Sequence, residues 1–157
     1  MRRGRMMSAV MIVLGLVAAM IVASAPTASA ADPMPANCPD GRQIGSTASI
    51  RWDGETIASV KQYYSPRCRA NWSYVYVWES FRKRGYIWTT EAWVHTWDGR
   101  NFGGVERDGW IHTYSTPAGT VNVCTYAAGR IWIYQRVDRW PYVIWLDYAE
   151  TTTGWSC

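Results

Sequence analysis

The chain has 157 residues, with 16 Lys and Arg against 12 Asp and Glu, a formal charge of +4. Three of the basic residues, Arg2, Arg3 and Arg5, precede residue 31, so the remaining 127 residues carry 13 basic and 12 acidic side chains. A balance so near neutrality provides no strongly basic surface, which nucleic acids and anionic membranes require. We therefore expect neither as a partner, and 127 residues are enough for one domain.

The first 30 residues have the three parts of a secretory signal peptide. The arginines are followed by an apolar run over 6–25, and Ala28-Ser29-Ala30 forms a small-x-small cleavage site. A membrane anchor is the alternative, since the apolar run is nearly long enough to span a bilayer, but Pro26 and the cleavage site favour removal. The sequence thus predicts a secreted, extracellular protein. Its expected parts are a signal peptide over 1–30, a flexible leader over 31–37 and one domain over 38–157.

The composition of that domain indicates β structure. All 11 Trp and all 10 Tyr lie after residue 30, where Leu146 is the single leucine. Aromatic and β-branched residues favour strands, whereas leucine favours helices. Asp-Gly pairs at 53–54, 98–99 and 108–109 are hairpin signals. The predicted strands cover 48–52, 56–64, 70–78, 87–97, 105–107, 110–115, 120–126, 131–137 and 142–149.

These eight or nine strands predict an all-β fold, an antiparallel sandwich or barrel-like domain. A short helix over 75–83 is compatible with the sequence but not required by it. Between the seventh and eighth predicted strands, Gly129 is interpreted as a break. No fixed-period repeat of a propeller or solenoid is present.

Aromatic and aliphatic residues alternate within several strands. Along 70–78 one parity holds Trp72, Tyr74, Tyr76 and Trp78, and along 92–97 one parity holds Trp93, His95 and Trp97. Successive strand side chains point to opposite faces, so aromatic residues collect on one face. That face either packs under a second sheet or is partly open as a platform for flat ligands. Because Trp is rarely fully buried and exposed apolar patches mark binding surfaces, we expect at least one exposed aromatic strip.

The four cysteines predict two disulfides. Cys38, Cys68, Cys124 and Cys157 all lie in the exported part, and an even number there indicates disulfides with three possible pairings. Sequential pairing, Cys38–Cys68 and Cys124–Cys157, is the expected one, since it would close the N-terminal segment onto the core and hold the C-terminal segment. A metal site would need C-x-x-C or His-rich spacing, which is absent. We expect no metal and no cofactor.

The sequence contains residues that could form a catalytic site, but no catalytic motif accompanies them. A Ser-His-Asp set could be drawn from Ser65 or Ser115 with His95 and Asp98, but no G-x-S-x-G context accompanies it. A carboxylate pair for glycoside hydrolysis requires two acids at a defined separation, which sequence does not reveal. The acids available for such a pair are Glu79, Glu91, Asp98, Glu106 and Asp108. His95 lies between Trp93 and Trp97 on the aromatic side of the strand. It is therefore the histidine that we consider for a functional role.

One segment carries a recognisable motif. Tyr64-Ser65-Pro66, Cys68 and Trp72 form Tyr-Ser-Pro-x-Cys-x-x-x-Trp after a strand. This resembles a family of small secreted proteins of Gram-positive bacteria, classified as a domain of unknown function. The chain departs from that family at Tyr63, where an Arg is usual. The resemblance covers roughly 38–77 and implies secretion, a β-rich fold and an upstream cysteine, a role that Cys38 could fill; it implies no activity.

The function predicted from the sequence is that of a secreted, non-catalytic binding module. Sugar rings present apolar faces that stack on indole, and Trp and Tyr also offer a polar edge for hydroxyls. A glycan or cell-envelope polymer is therefore the expected partner, with a protein partner equally compatible with these residue types. The predicted ligand-binding residues are Trp93, His95, Trp97 and Trp78. A small secreted hydrolase using acidic residues or His95 is the alternative.

Overall fold

The computed structural model describes residue 35, residues 37–137 and residues 143–157. The predicted signal peptide over 1–30 and most of the predicted leader over 31–37 lie outside the described residues. Within the described ranges, no helix has both the length and the apolar character needed to cross a membrane.

Eight strands and one short helix make up the described chain. The strands are β1 (Arg42–Trp52), β2 (Glu55–Ser65), β3 (Ala70–Val77), β4 (Ile87–Thr96), β5 (Asn101–Asp108), β6 (His112–Tyr114), β7 (Thr125–Arg136) and β8 (Val143–Thr152). The helix α1 (Glu79–Arg82) is a single turn after β3. The predicted helix over 75–83 is thus confined to its second half, because Val75 to Val77 remain in the β3 ladder.

The strands form two antiparallel four-stranded sheets, so the predicted all-β sandwich is confirmed. The first sheet has the order β1-β2-β3-β6, and the second has the order β5-β4-β7-β8. The Asp53-Gly54 hairpin forms as predicted: both residues have positive φ, 50° and 77°, as a tight two-residue turn between twisted strands requires. Both disulfides pair sequentially, Cys38–Cys68 and Cys124–Cys157.

The core between the sheets is built from the aliphatic parity of each strand. The buried cluster includes Val60 and Val75 of the first sheet and Ala92, Ala127 and Ile131 of the second. The aromatic parity therefore points away from the other sheet on both sides of the sandwich.

At Gly129 the two sheets approach too closely for a side chain. A Cβ on Gly129 would lie 2.5 Å from Cγ2 of Val75 and 2.7 Å from Cγ2 of Val60. The interpretation of Gly129 as a break between two strands is wrong, since β7 runs through it without interruption, paired with Ala92 of β4 and Thr151 of β8. The glycine is required by packing against the opposite sheet and does not mark a turn.

One end of the inter-sheet space is polar. The Gln62 side chain donates to the Thr125 hydroxyl at 2.7 Å, and the Ser73 hydroxyl donates to the Ala128 carbonyl oxygen at 2.8 Å. Both bonds join the first sheet to the second. Buried polar groups need partners of this kind, and here the partners lie on the opposite sheet.

Candidate ligand-binding face

The outer side of the second sheet carries a continuous set of aromatic and charged side chains. They alternate with the core residues of β4 and β7 and extend onto β8 and the segment after it. We call this set the aromatic face, defined by Trp93, His95, Trp97, Tyr126, Arg130, Trp132, Tyr148 and Trp155. The antiparallel register places Trp93 opposite Ala128, His95 opposite Tyr126, and Trp132 opposite Tyr148.

Trp155 lies at the centre of an aromatic cluster at one end of this face. Its ring is 4.7 Å from that of Tyr126 and 5.2 Å from that of Trp97, both in edge-to-face arrangements, and 6.4 Å from His95. Such contacts hold the rings in defined orientations. Trp97 is nevertheless 73% exposed and Trp155 is also exposed. The cluster therefore presents accessible indole surface formed by rings that contact one another.

Arg130 occupies the middle of the face, surrounded by rings. Its guanidinium lies 5.4 Å from the centroid of Trp93, 5.2 Å from Trp132 and 5.3 Å from Tyr148. Its Nη2 is also 2.6 Å from Glu150 Oε2, and its Nη1 is 3.6 Å from Glu91 Oε2. Cation–π contacts and ion pairs together fix the three rings around one cation.

A row of charged residues crosses the sheet at Arg130. Glu106 of β5 pairs with Glu91 of β4, Glu91 pairs with Arg130, and Arg130 pairs with Glu150 of β8. Like charges directly opposite one another on neighbouring strands repel, and within the described residues Glu106 forms no ion pair. Three carboxylates and one guanidinium make this row net acidic, which disfavours a polyanionic ligand.

His95 packs beside the Trp155 cluster. Its ring stacks on Tyr126 with centroids 4.8 Å apart, and its Nδ1 lies 2.6 Å from Asn101 Oδ1. The partner of the imidazole is therefore an amide and not a carboxylate. The Ser-His-Asp set drawn from the sequence needs a carboxylate to orient the histidine, and at His95 the side-chain amide of Asn101 occupies that position.

Asp98 stabilises the turn beside Trp97. Its carboxylate accepts hydrogen bonds from Arg100, at 2.9 Å to Nε, and from the Thr96 hydroxyl. These two interactions lower the pKa of Asp98 from 3.8 to about 2. A carboxyl group with so low a pKa is ionised at neutral pH and is unsuited to act as a general acid.

Three of the four predicted ligand-binding residues lie together, and one lies elsewhere. Trp93, His95 and Trp97 share the aromatic face, whereas Trp78 precedes α1 at the end of the first sheet, where its ring meets Tyr76 edge to face at 5.2 Å. Trp78 continues the alternation of aromatic residues along β3, but β3 is a strand of the first sheet and the aromatic face lies on the second.

Several residues of the aromatic face were not predicted as part of it. Tyr126, Arg130 and Tyr148 reach the face only through the pairing of β7 with β4 and β8. Trp155 follows β8 and is brought to the face beside the bridge between Ser156 and Thr125. The alternation of Trp132 with Ile131 and Ile133 indicates an aromatic outer side for this strand, and it is the one signal in the sequence that points to this part of the face. The sequence does not reveal which strands are neighbours, so it could not join these residues to Trp93.

The described residues contain no group of three His, Cys, Asp or Glu side chains placed to hold a metal ion. No protein-family model, curated protein or solved structure matches this chain. The family suggested by the Tyr-Ser-Pro-x-Cys-x-x-x-Trp motif therefore stays an expectation.

Proposed function

We propose that this protein is a secreted, non-catalytic binding module that engages a glycan or cell-envelope polymer through the aromatic face. The observation that carries the proposal is the cluster of exposed Trp97 and Trp155 around half-buried Tyr126, on the same face as the ring-enclosed Arg130. Exposed rings held in place by their neighbours lose little conformational entropy when a flat ligand stacks on them.

The shape and charge of the aromatic face support an extended, uncharged or weakly cationic polymer. Rings occur at both ends of the face, from Trp155 to Tyr148, with polar groups between them. A polymer lying along β7 could stack on successive rings while its hydroxyls meet the carboxylates of Glu91 and Glu150, which flank Arg130 on the neighbouring strands. A polyanion would face the net negative row at Arg130.

The hydrolase alternative receives less support from the same geometry. Glu91 and Glu150 both contact the guanidinium of Arg130, and Nδ1 of His95 lies within hydrogen-bond distance of the Asn101 amide oxygen. These groups are engaged in holding the face together. A binding role uses them as they are, whereas hydrolysis would require at least one of them to be released.

The proposal is tested by retention on purified bacterial cell-wall polysaccharide. Trp97→Ala and Trp155→Ala should each weaken retention by an amount on the order of 1–3 kcal/mol, by analogy with base–aromatic stacking. Trp110→Ala is the matched control, because Trp110 is 57% exposed but lies outside the aromatic face. Unchanged retention by both face variants would contradict the proposal.

Product analysis on the same samples separates binding from hydrolysis. We expect no cleavage of the retained polymer by the wild type, and His95→Ala should bind with only modestly lower affinity. If products appear and His95→Ala loses 10²- to 10⁴-fold in rate while still binding, the face is an active site. Retention that depends on a protein in the wall preparation, and not on the polysaccharide, would instead indicate a protein partner.

A further inference from the structure

The two ends of the aromatic face lie along one straight strand. Tyr126 and Trp132 both point outward from β7 and are six positions apart. A strand rises about 3.3 Å per residue, so their Cα atoms are about 20 Å apart. The pairing of β7 with β4 continues from Tyr126 to Trp132 without a bulge, and bulges are what bend a strand. A straight path therefore joins the two ends of the face.

Each end presents ring surface to the solvent. At one end lies the Trp155 cluster, formed by Trp97, Tyr126 and Trp155, in which both tryptophans are exposed. At the other end the rings of Trp132 and Tyr148 are 5.3 Å apart, and Tyr148 is also exposed. We call these two residues the Trp132 pair. A ligand that stacks on aromatic rings thus has two separate places to do so.

The centre of the face, between these two ends, is polar. Arg130 occupies it, and both its Nε and its Nη2 donate to the same oxygen of Glu150, Oε2, at 2.8 and 2.6 Å. Among the described residues none donates to the second oxygen, Oε1, and the Glu150 side chain is 49% exposed. That oxygen can accept a hydrogen bond from a sugar hydroxyl. Rings at both ends and polar groups between them suit a chain of sugars, because each sugar offers both an apolar ring face and hydroxyls.

We propose that the aromatic face binds linear, neutral β-1,4-linked glycans, and that one chain contacts the Trp155 cluster and the Trp132 pair at the same time. β-1,4-linked sugars form an extended ribbon that can follow a straight strand, whereas α-1,4-linked sugars curve into a helix and turn away from it. The net acidic row at Arg130 disfavours chains that carry carboxylates or phosphates. This inference rests on the proposed function and specifies the shape, linkage and charge of its polymer.

Simultaneous contact makes the affinity depend on the length of the ligand. Once a chain is bound at one end of the face, its binding at the other end is intramolecular, and the overall affinity exceeds that of either end alone. Cellobiose is too short to reach from Tyr126 to Trp132, whereas cellohexaose is long enough. Maltohexaose is the matched control for shape, because it has as many glucose units as cellohexaose but is α-1,4-linked.

Isothermal titration calorimetry of the folded, disulfide-intact protein with these three sugars tests the proposal. Kd for cellohexaose should be on the order of a hundredfold lower than Kd for cellobiose, and maltohexaose should bind no more tightly than cellobiose. Equal affinities for cellohexaose and maltohexaose would overturn the proposal. Equal affinities for cellohexaose and cellobiose, or no binding of cellohexaose, would overturn it as well.

The same measurements separate this inference from the proposed function. If one of these contrary results accompanied retention on cell-wall polysaccharide that still depends on Trp97 and Trp155, the proposed function would stand and the inference would be wrong. A protein that binds neither the polysaccharide nor any of the three sugars would contradict both.

Two variants locate the contacts at the two ends of the face. Trp155→Ala and Tyr148→Ala should each raise Kd for cellohexaose about tenfold or more, because each removes exposed ring surface at one end. Tyr148→Ala should leave Kd for cellobiose nearly unchanged, since cellobiose still stacks on the Trp155 cluster. Trp110→Ala, which removes an exposed ring outside the face, should change neither Kd. Melting curves establish that the variants fold. Wild-type affinity of Tyr148→Ala for cellohexaose would show that the chain contacts one end only, and the proposal would be wrong.

Discussion

The outer faces of both sheets carry the aromatic residues of an alternating aromatic and aliphatic pattern, but on the first sheet several of these residues are buried, whereas on the second they are partly or fully exposed. On the first sheet, Trp72 is fully buried and its ring stacks on Tyr63 with centroids 5.8 Å apart. On the second sheet, Trp93 is only partly buried and Trp97 is exposed. Aromatic periodicity therefore reports which side of a strand carries rings, but it does not report whether that side is covered.

The Cys38–Cys68 disulfide accounts for part of this difference. Cys38 is completely buried in the cluster formed by Tyr63, Trp72 and Tyr74, with Cys68 packed against it. Asp40 fixes the same segment, because its carboxylate accepts bonds from the Ser65 hydroxyl and from the Arg67 N–H. The second disulfide, Cys124–Cys157, lies at the end of its sheet and leaves the aromatic face open.

The largest expected effect is the replacement of the buried ring. Trp72→Ala should lower the free energy of unfolding by roughly 3–5 kcal/mol, because a fully buried aromatic side chain leaves a cavity. Trp93→Ala should cost clearly less, since its ring is only partly buried. Denaturant unfolding of the two variants measures the difference. Equal losses would show that both outer faces contribute alike to stability, which would contradict the difference in burial between Trp72 and Trp93.

A second variant tests the inner surface that the two sheets share. Gly129→Ala should cost about 1–3 kcal/mol, because the added methyl overlaps Val75 and Val60. Gly104→Ala is the control, since a Cβ there meets nothing within 4 Å. Thermal unfolding of both variants provides the measurement. An unchanged melting temperature for Gly129→Ala would mean that the sheets separate easily to admit a methyl group. The inner face would then not be tightly packed at Gly129.

The smallest expected effect concerns two carboxylates, one beside each outer face. Hydrogen bonds from Ser65 and Arg67 lower the pKa of Asp40, and interactions with Arg100 and Thr96 lower that of Asp98 to about 2. For Asp98 the folded pKa lies below the unfolded value near 3.8. Its contribution to stability is therefore present above pH 4 and is lost as the pH falls towards 2.

Unfolding of Asp98→Asn and of the wild type at several pH values between 7 and 2 checks this contribution. The variant should be slightly less stable at pH 7, and the difference should shrink as the pH approaches 2. A difference that stays constant over the whole range would show that the Asp98 carboxylate does not stabilise the turn.

Much of the fold was predictable because its causes are local. The alternation along β3 and β4, the Asp53-Gly54 turn and the even number of cysteines each depend on neighbouring residues or on simple pairing. The strand break at Gly129 was predicted wrongly because glycine has two uses. A turn needs its conformational freedom, whereas this strand needs its lack of a side chain against Val60 and Val75, and only the opposite sheet distinguishes them.

The β class, the aromatic parity and the grouping of Trp93, His95 and Trp97 on one strand face could all be read from the order of the residues, because each follows from the two-residue period of a strand. Only long-range packing places Trp78 on the other sheet, Arg130 beside Trp93, and Trp155 beside Trp97. The physical reason is that strand order and sheet stacking are set by long-range contacts, which no local pattern encodes.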